Sequence, residues 1–269
     1  MPHDPGRRID DARSFLFVPA NRPERIAKAL ATEADIVIVD LEDAVPPDEK
    51  VAARAALTAQ LDPDRPVLLR VNDAGTGWFD EDLRVAAHPG VLGIMLAKAE
   101  PGDGLARACA VAPVVALIES AHGVADVRTI AATPGVRRLA FGTIDLALDL
   151  GITDETLLAP LGLQLVLASR VGGIASPIDG VTTDFRDPDV VARAMTASAK
   201  AGFGAKMCIH PAQVAAVHAA LRPTDGAVAW AHRVIAAAEQ ANGAAIAVDG
   251  RMIDKPVIAQ AQRILANID

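Results

Sequence analysis

Residues 35–45 read DIVIVDLEDAV: four consecutive β-branched residues, Ile36 to Val39, then Asp40, Glu42 and Asp43 in the next four positions. An apolar run this short suits a strand buried on both faces of a parallel sheet better than a helix. Such a strand has no structural use for three carboxylates at its end. The stretch therefore predicts a parallel α/β architecture and, at the carboxyl edge of its sheet, a chemical site.

Working outward, runs of the same kind recur at SFLFVP (14–19), PVLLRV (66–71), GIMLAK (93–98) and VVALIE (114–119). RRLAFG (137–142), IASPIDGV (174–181) and AKMCIH (205–210) bring the set to eight. Alanine-rich amphipathic stretches lie between them and read as helices: ERIAKALATE (24–33), EKVAARAALTAQL (49–61), GLARACAVA (104–112) and DVRTIAAT (126–133). PDVVARAMTASAKAG (188–202) adds another, with Pro188 at its start and Gly202 just past its end. Eight βα units in series predict a closed (β/α)8 TIM barrel over residues 1–222 and disfavour an open doubly wound sheet.

After residue 222 the rhythm breaks. TDGAVAWAHRVIAAAEQANG (224–243) reads as a helix with Thr224 as N-cap and Gly243 as C-cap. Its apolar stripe is expected to be Val228, Ala231, Ile235 and Ala238. AAIAVDGRMIDKP (244–256) then reads as strand, turn and loop into a last helix, VIAQAQRILA (257–266). Residues 223–269 are thus expected to be a C-terminal helical and loop extension of the barrel.

Composition narrows the partners. The 269 residues are 51% hydrophobic with few aromatics, and the net charge is −8. That balance argues against nucleic acid or an anionic membrane as the partner, because both require a basic surface. No segment reaches the roughly 18 apolar residues of a membrane span, and MPHDPGRRIDDAR at the start has no apolar core of a secretory signal. Cys109 and Cys208 form no CxxC pair and are expected to be buried thiols in a reducing cytoplasm.

The predicted strand ends carry Asp40, Glu42 and Asp43, then Arg70 and Asn72, Lys98 and Glu100, and Glu119. They continue with Gly142 and Asp145, Asp179 and Gly180, and His210. In a barrel these positions converge on one edge. Carboxylates also cap the helices that follow strands, and that is the preferred reading for Glu24 and Asp48.

Glu119 and Asp145 suit a hard divalent cation such as Mg²⁺, which usually takes one or two protein carboxylates and keeps several waters. His122 and His210 stand alone on their loops and make no zinc site. Arg70, at the end of an apolar strand, either completes a structural ion pair or meets an anionic ligand; its planar fork fits a carboxylate or an enolate oxygen. There is no GxGxxG, GxSxG or P-loop spacing. A metal, an arginine and acids, without a catalytic lysine, fit carbon–carbon cleavage through an enolate.

Several motifs, in order, resemble the citrate lyase β-subunit-like group of the HpcH/HpaI aldolase superfamily, which also contains malyl-CoA and citramalyl-CoA lyases. They are RSFLFVPANRPERI, DIVIVDLEDAV, VLLRVN, ALIESAHGV, LAFGTIDLALDLG, IDGVTTDFRD, GAKMCIHPAQV and DGRMIDKPVIAQAQ, and they span nearly the whole chain. The resemblance implies a Mg²⁺-dependent barrel, trimeric or hexameric, that cleaves a 3-hydroxy-3-carboxyacyl thioester into an acetyl thioester and a 2-oxo acid. It implies metal ligands at Glu119 and Asp145, with Asp40, Glu42 and Asp43 behind the metal and Arg70 on the reacting fragment.

By the same resemblance Asp254 is an acid delivered to a neighbouring subunit's site, with a helix cap as its rival role and Asp249 as the nearest alternative acid. Pro19, Asn21, Arg22 and Arg25 lie where the pantetheine and phosphates of CoA would pass, although Arg22 and Arg25 also read as solvated helix-start charges. An acyl carrier protein in place of free CoA stays open; free CoA is preferred by analogy. The other readings are an aldolase of free 2-oxo acids, a malyl-CoA-type thioesterase, and a barrel without catalysis.

Overall fold

The computed structural model describes residues 5–240, 246–249 and 251–266. Eight parallel strands close a barrel: β1 (Ser14–Pro19), β2 (Ile36–Asp40), β3 (Val67–Val71), β4 (Val91–Leu96), β5 (Val114–Ile118), β6 (Val136–Phe141), β7 (Ile178–Asp179) and β8 (Ala205–Cys208). Each pairs with its sequence neighbours, and β8 returns to β1 through Ser14–Lys206, Phe15–Met207 and Leu16–Cys208.

Alternate residues of each strand point inward. Phe15, Ile36, Ile38, Leu68, Val115 and Leu117 belong to one buried cluster with Ala140, Ile178, Ala205 and Met207. That cluster fills the barrel, so its interior is a packed core and its chemistry is confined to the ends.

The chain contacts itself as two compact units, Met1–Ala220 and Leu221–Asp269. In the first, the helices are α1 (Pro5–Asp11), α2 (Pro23–Leu30), α3 (Lys50–Thr58), α4 (Phe79–Ala86), α5 (Asp103–Val111), α6 (Ala121–Ala125) and α7 (Val127–Ala131). They continue with α8 (Thr143–Leu150), α9 (Ala159–Gly172), α10 (Pro188–Ala201) and α11 (Ala212–Leu221). Gly202 follows α10 in the left-handed conformation (φ 106°), which lets it close the helix as its position suggested.

Helix α1 plugs the amino end of the barrel. Its Ile9 is fully buried in the barrel cluster, and Arg138 on β6 holds the segment by donating to Ile9 O (3.0 Å) and Ala12 O (2.6 Å). The same guanidinium reaches Ser176 O (2.5 Å) and lies over the Phe15 ring. Burial lowers the Arg138 pKa to about 10, and the nearby Asp10 works against that shift.

Strand seven is shorter than expected. Pro177 offers no N–H to a ladder, so pairing is confined to Ile178 and Asp179. Lys206, turned outward on β8, secures this strand instead by donating to Asp179 Oδ2 (2.7 Å) and Gly180 O (2.6 Å). Of the two thiols, Cys208 is buried, but Cys109 is only half-buried; both are free.

The second unit contains α12 (Asp225–Gln240), a hairpin of β9 (Ile246–Val248) and β10 (Arg251–Ile253), and α13 (Lys255–Ala266). Thr224 caps α12, its Oγ1 accepting from Ala227 N (3.2 Å). Gly243, expected to end that helix, lies outside the described residues. The buried residues of the unit are Ala231, Val234, Ile253 and Ala261, with Ile235 packed against them. Val234, absent from the expected stripe, is fully buried, whereas Val228 is only half-buried. Among the described residues no single helix is long and apolar enough to cross a membrane.

Candidate active site

The inward alternation of each strand decides which end residues meet. Asp40 continues the inward series Ile36, Ile38; Arg70 follows Leu68; Glu119 follows Leu117; Gly142 follows Ala140. All four line a cavity of about 530 Å³ at the carboxyl end of the barrel, together with Asp145 and Asp43.

Arg70 is the hub. Its Nε donates to Asp40 Oδ1 (2.8 Å) and its Nη2 to Asp40 Oδ2 (2.6 Å), a bidentate pair between neighbouring strands. Its Nη1 lies 3.1 Å from Glu42 Oε2 and 3.9 Å from Asp43 Oδ2, and its plane stands over the Phe17 ring. Burial opposes this charge, but Asp40 and Glu42 more than offset it and raise the arginine's proton affinity above its ordinary value. Of the two roles expected for Arg70, the structure shows the ion pair, and the side chain also lines the cavity.

The Asp40 carboxylate also accepts from Glu42 N (2.8 Å) and Ala44 N (3.2 Å), folding residues 41–44 back over the strand end. Two buried groups hold this turn from outside the barrel. Lys50 Nζ donates to Leu41 O (2.8 Å) and Glu42 O (2.7 Å), and Asn72 Nδ2 donates to Leu41 O (3.0 Å). Burial lowers the Lys50 pKa, the surrounding carboxylates resisting. The three acids of the opening stretch therefore clamp and orient Arg70, and the turn that carries them is itself clamped.

Glu119 has a different environment. It is 4% exposed, and its Oε1 accepts from the backbone N–H of Lys98 (2.8 Å). Burial pushes its pKa up to about 8; the Lys98 hydrogen bond and Arg70 oppose the rise, while Asp145 and Glu42 add to it. A Cβ on Gly142 would stand 2.5 Å from Glu119 Cβ and 2.7 Å from its Oε2, so only glycine leaves room for that carboxylate. Asp145 sits in the first turn of α8, whose N-cap is Gly142.

Lys98, one of the strand-end residues to which the sequence assigns no role, contacts the site through Glu119 and Glu42. It has φ 47°, one of two non-glycine residues with positive φ among those described. Its Nζ lies 3.5 Å from Glu42 Oε1. Burial opposes the Lys98 charge, but Glu42, Asp43 and Glu119 raise its pKa above the ordinary ammonium value.

The remaining expected residues divide. Pro19 and Arg25 line the cavity. Asn21 instead donates to Glu49 Oε2 (2.5 Å), and Arg22 is exposed at the N-cap of α2. Asp179, at the end of β7, turns away to Lys206. Asp254 belongs to the second unit, where its Oδ1 accepts from Val257 N (3.2 Å) at the start of α13. Asp249 is exposed and paired with Arg233 (2.8 Å).

Among the described residues no three His, Cys, Asp or Glu side chains gather as a metal cage. Glu119 and Asp145, two carboxylates lining one cavity, instead fit a hard cation that keeps waters and takes further oxygens from a ligand.

Comparison with known proteins shows the family and the relatives that this chain resembles. The profile of "HpcH/HpaI aldolase/citrate lyase" matches residues 13–211. A "Citrate lyase subunit beta-like protein" of Mycobacterium tuberculosis is 38% identical over 263 residues, covering 93% of each chain. A "(3S)-malyl-CoA thioesterase" of Cereibacter sphaeroides is 34% identical over 270 residues, covering 96% of this chain and 94% of that one. The crystal structure of CitE from Mycobacterium tuberculosis in complex with magnesium, acetoacetate and coenzyme A superposes with TM-score 0.84 at 35% identity, covering 96% of this chain and 98% of that one.

Proposed function

We propose a function on the premise that the chain belongs to the HpcH/HpaI aldolase/citrate lyase family, as the match over residues 13–211 establishes: it is a Mg²⁺-dependent carbon–carbon lyase of 3-hydroxy-3-carboxyacyl-CoA thioesters. The observation that carries this reading is that Glu119, Asp145 and Arg70 all line one cavity. Support comes from the CitE relative, whose crystal structure holds magnesium, acetoacetate and coenzyme A.

In the reaction the bond between C2 and C3 of the acyl group breaks. The C3 hydroxyl loses its proton and becomes the carbonyl of the 2-oxo acid, while C2 keeps the electron pair as a thioester enolate and gains a proton to become the methyl of the acetyl thioester. Mg²⁺ held by Glu119 and Asp145 would supply Lewis acidity at the oxygens of the oxo-acid fragment. Arg70, locked in plane by Asp40 and Glu42, orients the same fragment and meets the charge that develops on it. Pro19 and Arg25 at the cavity take the pantetheine arm and a phosphate of CoA, with Asn21 and Arg22 beside them. Asp254, from the C-terminal unit of a neighbouring copy in a homotrimer or hexamer, gives its proton to the enolate carbon and regains one from solvent, to which the proton of the C3 hydroxyl is released. The protein works in the cytoplasm on free CoA esters, without an acyl carrier protein.

Thioester hydrolysis is the second reading, favoured by the malyl-CoA thioesterase relative. One experiment separates the two. Malyl-, citramalyl- and citryl-CoA are supplied with and without Mg²⁺, and 2-oxo acid and free thiol are followed together. Cleavage of the carbon–carbon bond releases oxo acid and acetyl-CoA without thiol; hydrolysis releases thiol without oxo acid. The lyase reading expects Mg²⁺-dependent oxo acid from at least one ester and none from Asp145→Ala, and wild-type turnover by that variant at limiting Mg²⁺ would sink it.

A further inference from the structure

Glu119 lines the cavity, and among the described hydrogen bonds none from its own strand fixes the rotation of its side chain. The fixing group comes from the neighbouring strand. Just past the end of β4 the backbone enters the left-handed region at Lys98 (φ 47°), a conformation that carries a steric cost for a lysine. In that conformation the Lys98 N–H donates to Glu119 Oε1 (2.8 Å), and Ala99 N donates to Leu117 O (3.1 Å), tying the turn to β5 at a second point. The Lys98 ammonium meanwhile reaches Glu42 Oε1 (3.5 Å), whose other oxygen faces Arg70 (3.1 Å). Lys98 does not border the cavity, so its effect on the site passes through Glu119 and Glu42.

We propose that Lys98 is a positioning residue: its left-handed backbone conformation holds Glu119 Oε1 in place and leaves Oε2, in the gap that Gly142 keeps open, free to bind the divalent cation. The strain sits one strand away from the ligand it serves, as strain retained at functional sites commonly does. A lysine in this conformation needs a reason that packing does not give, since the side chain is nearly half exposed (45%). This inference rests on the reading of Glu119 as a metal ligand.

The test is a substitution series graded by tolerance of positive φ, with the ammonium removed throughout. Lys98→Gly and Lys98→Asn accept the left-handed region more readily than lysine, Lys98→Ala about as lysine does, and Lys98→Val least. Mg²⁺ dissociation constants of the full-length protein are measured by calorimetry without substrate, and melting temperatures are taken in parallel. The expected order of affinity is Gly and Asn at or above wild type, Ala near wild type as the control for loss of the ammonium, and Val weaker by roughly 5-fold or more. Equal dissociation constants across the series overturn the inference, whether the melting temperatures are unchanged or fall from Gly to Val; in the latter case the fold alone bears the strain. A wild-type protein that binds no Mg²⁺ overturns the metal assignment and this inference with it.

Discussion

Mg²⁺ binding should displace a proton from Glu119, and the size of the effect follows from its burial. The carboxyl is almost fully enclosed, its ordinary value of 4.5 is pushed up to about 8, and desolvation is the largest cause. The metal binds only the ionised form, so a proton competes with it below that pH. Apparent affinity should therefore weaken about tenfold for each pH unit below 8 and level off above it. Calorimetric titrations in buffers of different ionisation enthalpy count the protons released. The expected count is near one per Mg²⁺ at pH 6.5 and near zero at pH 9.5, and Glu119→Gln should abolish the binding itself. A count near zero at pH 6.5, with tight binding, would refute the reasoning, because the carboxylate would then already be ionised.

The same shift has a consequence for folding. A carboxyl whose pKa is raised on folding contributes stability that is complete below its unfolded value and disappears as pH rises through the folded value. From 4.5 to about 8 the loss is on the order of 5 kcal/mol at about 1.4 kcal/mol per unit. Metal-free protein should thus melt lower at pH 9 than at pH 6 through this group, and saturating Mg²⁺ should recover part of the difference at pH 9, where it meets an ionised ligand.

Two further outcomes follow from contacts at the site and in the C-terminal unit. Gly142→Ala would set a methyl 2.7 Å from Glu119 Oε2, so Mg²⁺ affinity should fall by roughly 100-fold or more while circular dichroism keeps the barrel signature; near-normal affinity would show that Oε2 is not the binding oxygen. Asp254→Asn keeps an oxygen for the Val257 N–H, so stability should move by less than about 0.5 kcal/mol while turnover falls by about 100-fold or more; unchanged turnover would leave Asp254 a helix cap only.

Much of the barrel was legible because its strands are β-branched runs separated by alanine-rich stripes, two periods that physics keeps apart. Some helices escaped for the opposite reason. Helix α9 exposes Leu163, Leu167 and Val171 while burying Leu165 and Ala168, so no polar face announces it. Only the second strand of the hairpin in the second unit escaped, because three residues, Arg251–Ile253, are too few for alternation to register. At the site, stepping by two from the buried residues of each strand reaches Asp40, Arg70, Glu119 and Gly142. Lys98 and Lys50 could not be found that way. One acts through its backbone N–H and a positive φ, and the other binds backbone carbonyls; neither leaves a spacing signal.

The opening stretch also shows why a cluster of carboxylates is a poor guide to a metal. Asp40, Glu42 and Asp43 crowd one turn, yet Asp40 has both oxygens committed to Arg70 and to backbone N–H groups, and Glu42 is shared between Arg70 and Lys98. A buried carboxylate already neutralised by a bidentate guanidinium has little left to offer a cation, and removing it would strand a buried positive charge at a cost of about 3–5 kcal/mol. Glu119, by contrast, meets one backbone N–H and a glycine, with no side-chain cation paired to it among the described ion pairs, and burial leaves its charge uncompensated enough to raise its pKa. On the proposed reading, a divalent cation would stabilise that carboxylate most. Asp40 and the acids that follow β2 set the direction and charge of Arg70, and Glu119, just past β5, with Asp145 lining the same cavity, would be the place where a metal lowers the free energy of the site.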